Sequence, residues 1–292
     1  MSEEVRRLAG VDTPLGGARS GAFPGFWMAV GRAIHSRHRA ALTAIGLLLL
    51  LVGWEIGSRI AGDPVILPSP YDTVADFLWY LWHPYPTLGF MLWQHALFST
   101  ERILLGFGIG VVVGIGFGAL MISVRPVRNL FDPLIELTRP LPPLAFIPIF
   151  IVWFGIGDLP KVVLITVGVI PIMIVSTVSS LDRVPQEMLN AARCLGASPG
   201  YSLLHVRIRC AVPAIITGMR IAMGGAWTSI VAAEMIVATN GLGYVTQQAG
   251  LYLDTKLIFA GILAIAILGI TFDTILRRLQ RALDPSGQSL SA

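Results

Sequence analysis

The chain has 292 residues, of which 54% are hydrophobic and only 13% charged, with a mean hydropathy of +0.73; soluble domains carry about a quarter of their residues as charges. A formal net charge of +4 built from so few charges reads as basic loops beside an anionic membrane face rather than as a nucleic-acid surface. Two cysteines, Cys194 and Cys210, without a matching His or Cys pair, make neither a zinc site nor a disulfide framework and read as free thiols.

In chain order, residues 1–40 read as a cytoplasmic N-terminal tail. The opening "MSEEVRRLAG" has two early glutamates and no apolar run follows before about residue 41, so it is not a secretory signal. The tail is expected to be disordered to about residue 30 and then basic ("GRAIHSRHR"), with His35 and His38 solvated. A hydrocarbon core about 30 Å thick needs roughly 20 apolar helical residues. Six stretches qualify: 41–60, 102–124, 143–158, 161–180, 213–238 and 257–276, the third and fourth joined as a tight hairpin by "GIGDLPK". The fold class is therefore an all-α integral membrane protein with about six transmembrane helices, a transmembrane domain over 41–282 and a C-terminal tail over 283–292.

Basic residues set the orientation. Six arginines precede the first span, three lie between the second and third, four between the fourth and fifth, and three follow the sixth, against only Arg59, Lys161 and Lys256 in the opposite loops. By the positive-inside rule both termini and the loop after the fourth span are cytoplasmic. Trp79, Tyr80, Trp82, Tyr85 and Trp93, in the long outer loop of 61–95, read as an interfacial aromatic belt. In the second span Gly106, Gly110, Gly114 and Gly118 recur every four residues, which draws a smooth ridge for close helix packing. The overlapping "GIGFGA" is a poor dinucleotide fingerprint, because it follows no strand.

Catalytic chemistry has no foothold. The only two lysines are followed by Val and Leu, so no Walker A motif exists, and HExxH and CxxC are absent. Any ATP hydrolysis must come from another polypeptide. Among charges within or near spans (Glu55, Arg102, Arg220, Glu234, Asp273), Glu234 in "IVAAEMIV" is the most deeply embedded. Arg220 lies about 21 Å from it along the same helix, too far to pair. Arg220, Trp227 and Glu234 are candidates for a translocation pathway; Glu55 and Asp273 read as interfacial.

The loop "NAARCLGASPGYSLLHVRIRCAVP", residues 190 to 213, is basic and free of acid. It is expected to form a helix over about 186–195, a break at Gly196, and a second helix restarted by Ser198-Pro199 and ending before Pro213. Leu203, Leu204 and Val206 give it an apolar set that suits docking in a partner's groove.

This loop resembles the EAA loop of the inner-membrane permease subunits of bacterial ABC importers, whose pattern is Glu-Ala-Ala, three residues, Gly, nine residues, a branched aliphatic, one residue and Leu-Pro. Asn190, Ala191, Ala192, Gly196 and Val206 occupy those positions, with Ala197 and Ser198 next to the glycine. Asn190 replaces the usual Glu, and Ile208-Arg209 stands where Leu-Pro is expected, while a proline is kept downstream as Pro213. "LPSP", "HALFSTERILLGFGIG", "RPLPPLAFIPIFIVWFGIG" and "AAEMIVATNGLGYV" are similar to the nitrate/sulfonate/taurine/bicarbonate-type branch, over roughly residues 50–282.

The resemblance implies a homodimeric pore in the bacterial inner membrane, two cytoplasmic ATP-binding cassette ATPase subunits below it and a periplasmic solute-binding protein above, with no cofactor on this chain because ATP binds the partner. Residues 186–212 would be the coupling helix, and the solute a small organic or inorganic anion. The alternative from another class is an ion-gradient-driven secondary transporter, against which stand the lack of an internal repeat and the sparse buried acids.

Overall fold

The computed structural model describes residues 24–84 and 89–283, with side chains from residue 41 onward. Within these, every regular element is helical. The chain divides after Ile56 into two units. In the first, the described backbone is a single helix, α1 (Pro24–Ala61), whose end crosses into the second. Its apolar part is Ala41–Ala61. The helix thus begins inside the stretch read as a tail; residues 1–23 and 284–292, and Tyr85 of the aromatic set, lie outside the described residues.

The second unit is a helical bundle. Residues of the stretch 61–95 form α2 (Pro70–Trp82), started by Ser69, whose hydroxyl accepts from Asp72 N at 3.1 Å, and by Pro70 in the first turn. Its Trp79 and Trp82 are exposed. The next helix, α3 (Leu92–Ser123), starts ten residues earlier than its apolar run suggests, because Gln94 Oε1 accepts from Met91 N at 2.8 Å and closes the helix start. Arg102 is thereby placed inside the helix rather than at its boundary.

The four spaced glycines of α3 face α6 (Leu159–Asp182). A methyl group on Gly106 would come within 2.8 Å of Ile165 Cβ, on Gly110 within 2.7 Å of Val169 Cβ, and on Gly118 within 2.9 Å of Thr177 Cβ, while Gly114 is tightest of all against Met173. Both series advance by four in the same direction, so the two helices run parallel along a seam with no room for a side chain. Gly108 and Gly116, on the other face of α3, meet nothing within 4 Å. Gly114→Ala is therefore expected to cost about 1–3 kcal/mol through overpacking, whereas Gly116→Ala is neutral or slightly stabilising through helix propensity. Thermal unfolding in detergent checks this; equal losses at both positions would refute the seam.

A parallel pair needs a return segment between its members. It is supplied by α4 (Arg125–Thr138), a 3₁₀ turn (Pro143–Phe146) and α5 (Ile147–Phe154), with the two halves bent by 90°. This corrects the expected continuous span over 143–158: α5 has eight residues, about 12 Å, far short of a bilayer. Pro140, Pro142 and Pro143 explain the break, since each lacks an N–H and pushes the preceding residue out of the helical region. Among the described residues five helices are long and apolar enough to cross a membrane, or six if the bent pair is one span.

Antiparallel to α6 runs α9 (Ile208–Val237), with Gly218 against Ser176. Then come α10 (Leu242–Leu251) and α11 (Thr255–Leu283), the latter packed on α9 through Trp227 and Phe272. The core runs between α3, α6 and α9, through Ile103, Ile165, Met173, Ala222, Ala226 and Ile230. One end of the bundle holds the starts of α3 and α6, the end of α9 and α10. The other holds the loop from Arg183 to Arg207.

Candidate functional site

The loop at the second end is built from α7 (Gln186–Cys194), α8 (Pro199–Tyr201) and a π-helical segment (Ser202–Arg207) that runs into α9. Leu189, 2% exposed, and Val184 anchor it to the core. The stop at Gly196 is a complete Schellman arrangement: Gly196 N donates to Arg193 O at 2.9 Å and Ala197 N to Ala192 O at 3.0 Å, with Gly196 at φ +82°. Ser198 then restarts the chain, its Oγ accepting from Tyr201 N at 3.3 Å.

The turn displays rather than hides its apolar residues. Leu195 is 89% exposed, and Met188, Tyr201 and Leu204 are also exposed. Asn190, Ala191 and Ser198 are exposed, Ala192 and Ala197 half-buried, and Val206 packs on the core. The expected second helix does not stop before Pro213. The run Pro199–Val237 is unbroken, and Pro213 sits inside it, its carbonyl accepting from Thr217 Oγ1 and Gln280 Nε2, each at 3.2 Å. Neighbouring polar groups thus take up backbone capacity beside the proline, as helix bundles allow. Cys194 and Cys210 are free thiols on the surface.

At the other end, residues from four segments meet in an ionic network that is buried at Glu234, Arg102 and Lys161 and open to the surface at Asp158. Glu234 is 0% exposed and Arg102 4%. Arg102 Nη1 donates to Glu234 Oε1 at 2.7 Å and to the Asn240 carbonyl at 3.1 Å; Nη2 also donates to Asn240 Oδ1. Its Nε reaches Asp158 Oδ1 at 2.9 Å, and Lys161 Nζ donates to the same oxygen at 3.2 Å. Two cations thus meet two carboxylates, which is what a low-dielectric site demands. Partial burial alone would push the Asp158 carboxyl up, but Arg102 and Lys161 outweigh it and hold it below its ordinary range.

The same network starts α10. Gly241 N donates to His95 Nδ1 at 3.0 Å, Leu242 N to Ser99 Oγ at 2.9 Å, and Gly243 N to Glu234 Oε2 at 3.0 Å. Three N–H groups that a helix leaves unpaired are thereby satisfied by side chains of α3 and α9. Gly241 has φ +114°, and a side chain there would strike the Glu234 carboxylate. The structure separates the other pathway candidates from Glu234. Arg220 Nε bonds Asp273 Oδ1 at 2.7 Å, and Asp273, well inside α11, also accepts from Arg277 at 2.6 Å. Trp227 is buried against Phe272. The sequence puts Arg102 near a span boundary and singles out none of Ser99, His95 and Asn240; "TNGLG" next to a buried acid is the available signal.

A bundle of apolar spans with a charged network at one end and an exposed apolar turn at the other is that of a multi-pass membrane protein. The chain belongs to the family of binding-protein-dependent transport system inner membrane components, whose family model matches residues 108–287. It is 38% identical over 266 residues to the taurine transport system permease protein TauC of Escherichia coli (88% of this chain, 96% of that one). It is 32% identical to the putative aliphatic sulfonates transport permease protein SsuC of Escherichia coli (78% and 85%) and 29% to the nitrate import permease protein NrtB of Synechococcus elongatus (82% and 88%). An inward-facing MetNI methionine ABC transporter structure matches with a TM-score of 0.56 at 21% identity, over 70% of this chain and 97% of that chain, and shows the fold. The protein is an inner-membrane, multi-pass ABC importer permease, and the gradient-driven alternative falls with that membership.

Proposed function

We propose that two copies of this chain form the pore of an ATP-driven importer for a small anion of the sulfonate or nitrate type, coupled to a separate ATPase through residues 186–212. The observation that carries the coupling is the exposed turn: α7 is anchored by Leu189 yet stops on Gly196 with Leu195 held out to solvent. A bare leucine on a basic, rigidly capped loop suits insertion into a groove of a partner helix-binding surface. The solute class is supported by the taurine, sulfonate and nitrate relatives.

Arg183, Arg193, Arg207 and Arg209 in and beside the α7 loop and Arg277, Arg278 and Arg281 at the end of α11 support a cytoplasmic α7 loop and C-terminus, and the six arginines before the first span support a cytoplasmic N-terminus. A periplasmic solute-binding protein would then deliver the solute to the end that carries α2 and α10. ATP-driven closure of the ATPase dimer would push the α7 loop and rock the bundle, a rigid-body switch in which this chain makes no covalent bond. Glu234, Arg102 and Asp158 are proposed to hold the outer end of the bundle rigid, with the path running elsewhere. Affinity purification in mild detergent tests the reading: a P-loop ATPase should co-purify, and the reconstituted complex with its binding protein should take up taurine, an alkylsulfonate or nitrate only with ATP. Purification of a lone membrane protein under conditions that preserve its fold would overturn it.

A further inference from the structure

The bend between α4 and α5 sits beside the middle of α6. Small-molecule sites are clefts of about 300–1,000 Å³, and here one of about 550 Å³ is lined by Thr138, Arg139, Leu141 and Phe146 of the bend and by Gly168 and Pro171 of α6. α6 spans 24 residues, and positions 168–171 are its middle. Pro143 fixes the bend there: a methyl on Gly168 would come within 3.2 Å of its ring.

Two physical arguments converge on this cleft. Irregular backbone at membrane depth is tolerated only where it is buried in protein or lines a water-filled cavity, since lipid offers no hydrogen bonds. Half of the Arg139 side chain is exposed (52%), and a guanidinium level with the middle of a span cannot stay exposed to hydrocarbon. Arg102 and Arg220 are held by carboxylates at 2.7 Å. Among the described residues Arg139 has only a long contact of 3.4 Å to Glu136, itself 70% exposed, which leaves its donors available.

We propose that this cleft is a station for an anionic group on the translocation path, with Arg139 as its cation. The inference rests on the reading of the chain as a pore for small anions. It also accounts for the irregular segment "RPLPP", whose three prolines break the span at the depth where water and charge are needed.

The test reads the cleft without requiring transport. In the complete transporter, with Cys194 and Cys210 replaced by Ser, Leu141→Cys is reacted in inverted and right-side-out membrane vesicles, with and without ATP. The probes are membrane-impermeant methanethiosulfonates carrying either a sulfonate or a trimethylammonium group. Both should modify the thiol in at least one state. Arg139→Gln should lower the anionic-to-cationic rate ratio about tenfold, the effect of one charge at ~6 Å in water on two probes of opposite sign, and Arg139→Lys should preserve it. Phe146→Cys, in the same cleft, repeats the measurement if Leu141→Cys fails to fold. A thiol that reacts only with a lipid-permeable maleimide, or a ratio unmoved by Arg139→Gln, overturns the station. Loss of ATPase co-purification with the ratio intact would instead count against the importer reading alone.

Discussion

Glu234→Gln is expected to lower the stability of the purified protein by about 3–5 kcal/mol, the usual loss when one partner of a buried ion pair is removed and the other left uncompensated. The carboxylate accepts from Ser99 at 2.9 and 2.8 Å, Arg102 at 2.7 Å and Gly243 N at 3.0 Å. A glutamine amide presents one acceptor oxygen and an NH₂, so an N–H would face one of these donors. Asp158 cannot make up the balance for Arg102, because it is 66% exposed and screened. The drop in melting temperature should be on the order of 10 °C, read by thermal unfolding in detergent. Replacing both partners, Arg102→Leu with Glu234→Leu, should recover part of the loss but not all, because Gly243 N still loses its acceptor. An unchanged melting temperature with reduced solute uptake would place Glu234 on the solute's path instead.

Gly196→Asp is expected to abolish coupled uptake, at least tenfold, while the protein still reaches the membrane. A Cβ at Gly196 meets nothing within 4 Å, so no clash inside the subunit is involved. The cost has two other sources. A φ of +82° is strained for a residue with a side chain, though less for Asp and Asn than for most, and a negative charge is added at the negative end of α7. The Schellman bonds to Arg193 O and Ala192 O then weaken, and Leu195 loses its fixed presentation. Gly196→Asn, which tolerates this conformation and carries no charge, should retain most of the activity. Uptake and ATPase rate in membrane vesicles, normalised to permease abundance, decide the matter; normal uptake in Gly196→Asp would sink the coupling role.

The capping glycine, the Ser-Pro restart and the glycine ridge are legible because each is a local rule: a backbone conformation or a four-residue spacing that one stretch of chain contains whole. The break at "RPLPP" carries a local signal as well, three prolines, but hydropathy alone smooths over it and draws a span through 143–158. The ionic network is not legible. Ser99, Arg102, Asp158, Glu234 and Asn240 are scattered along the chain, Arg102 and Asn240 being 138 positions apart. No periodicity links an arginine on one helix to an acid on another.

By itself, then, the sequence determined that this chain crosses a membrane several times, where α7 ends and which face of α3 is smooth, because helix length, capping and residue size act within a turn or two of the backbone. Only the tertiary structure decided that α3 and α6 run parallel, that Glu234 pairs with Arg102 while Arg220 pairs with Asp273, and that α4 and α5 meet at a 90° bend. In a low-dielectric interior a charge must find a partner in space, and which partner it finds depends on how whole helices pack.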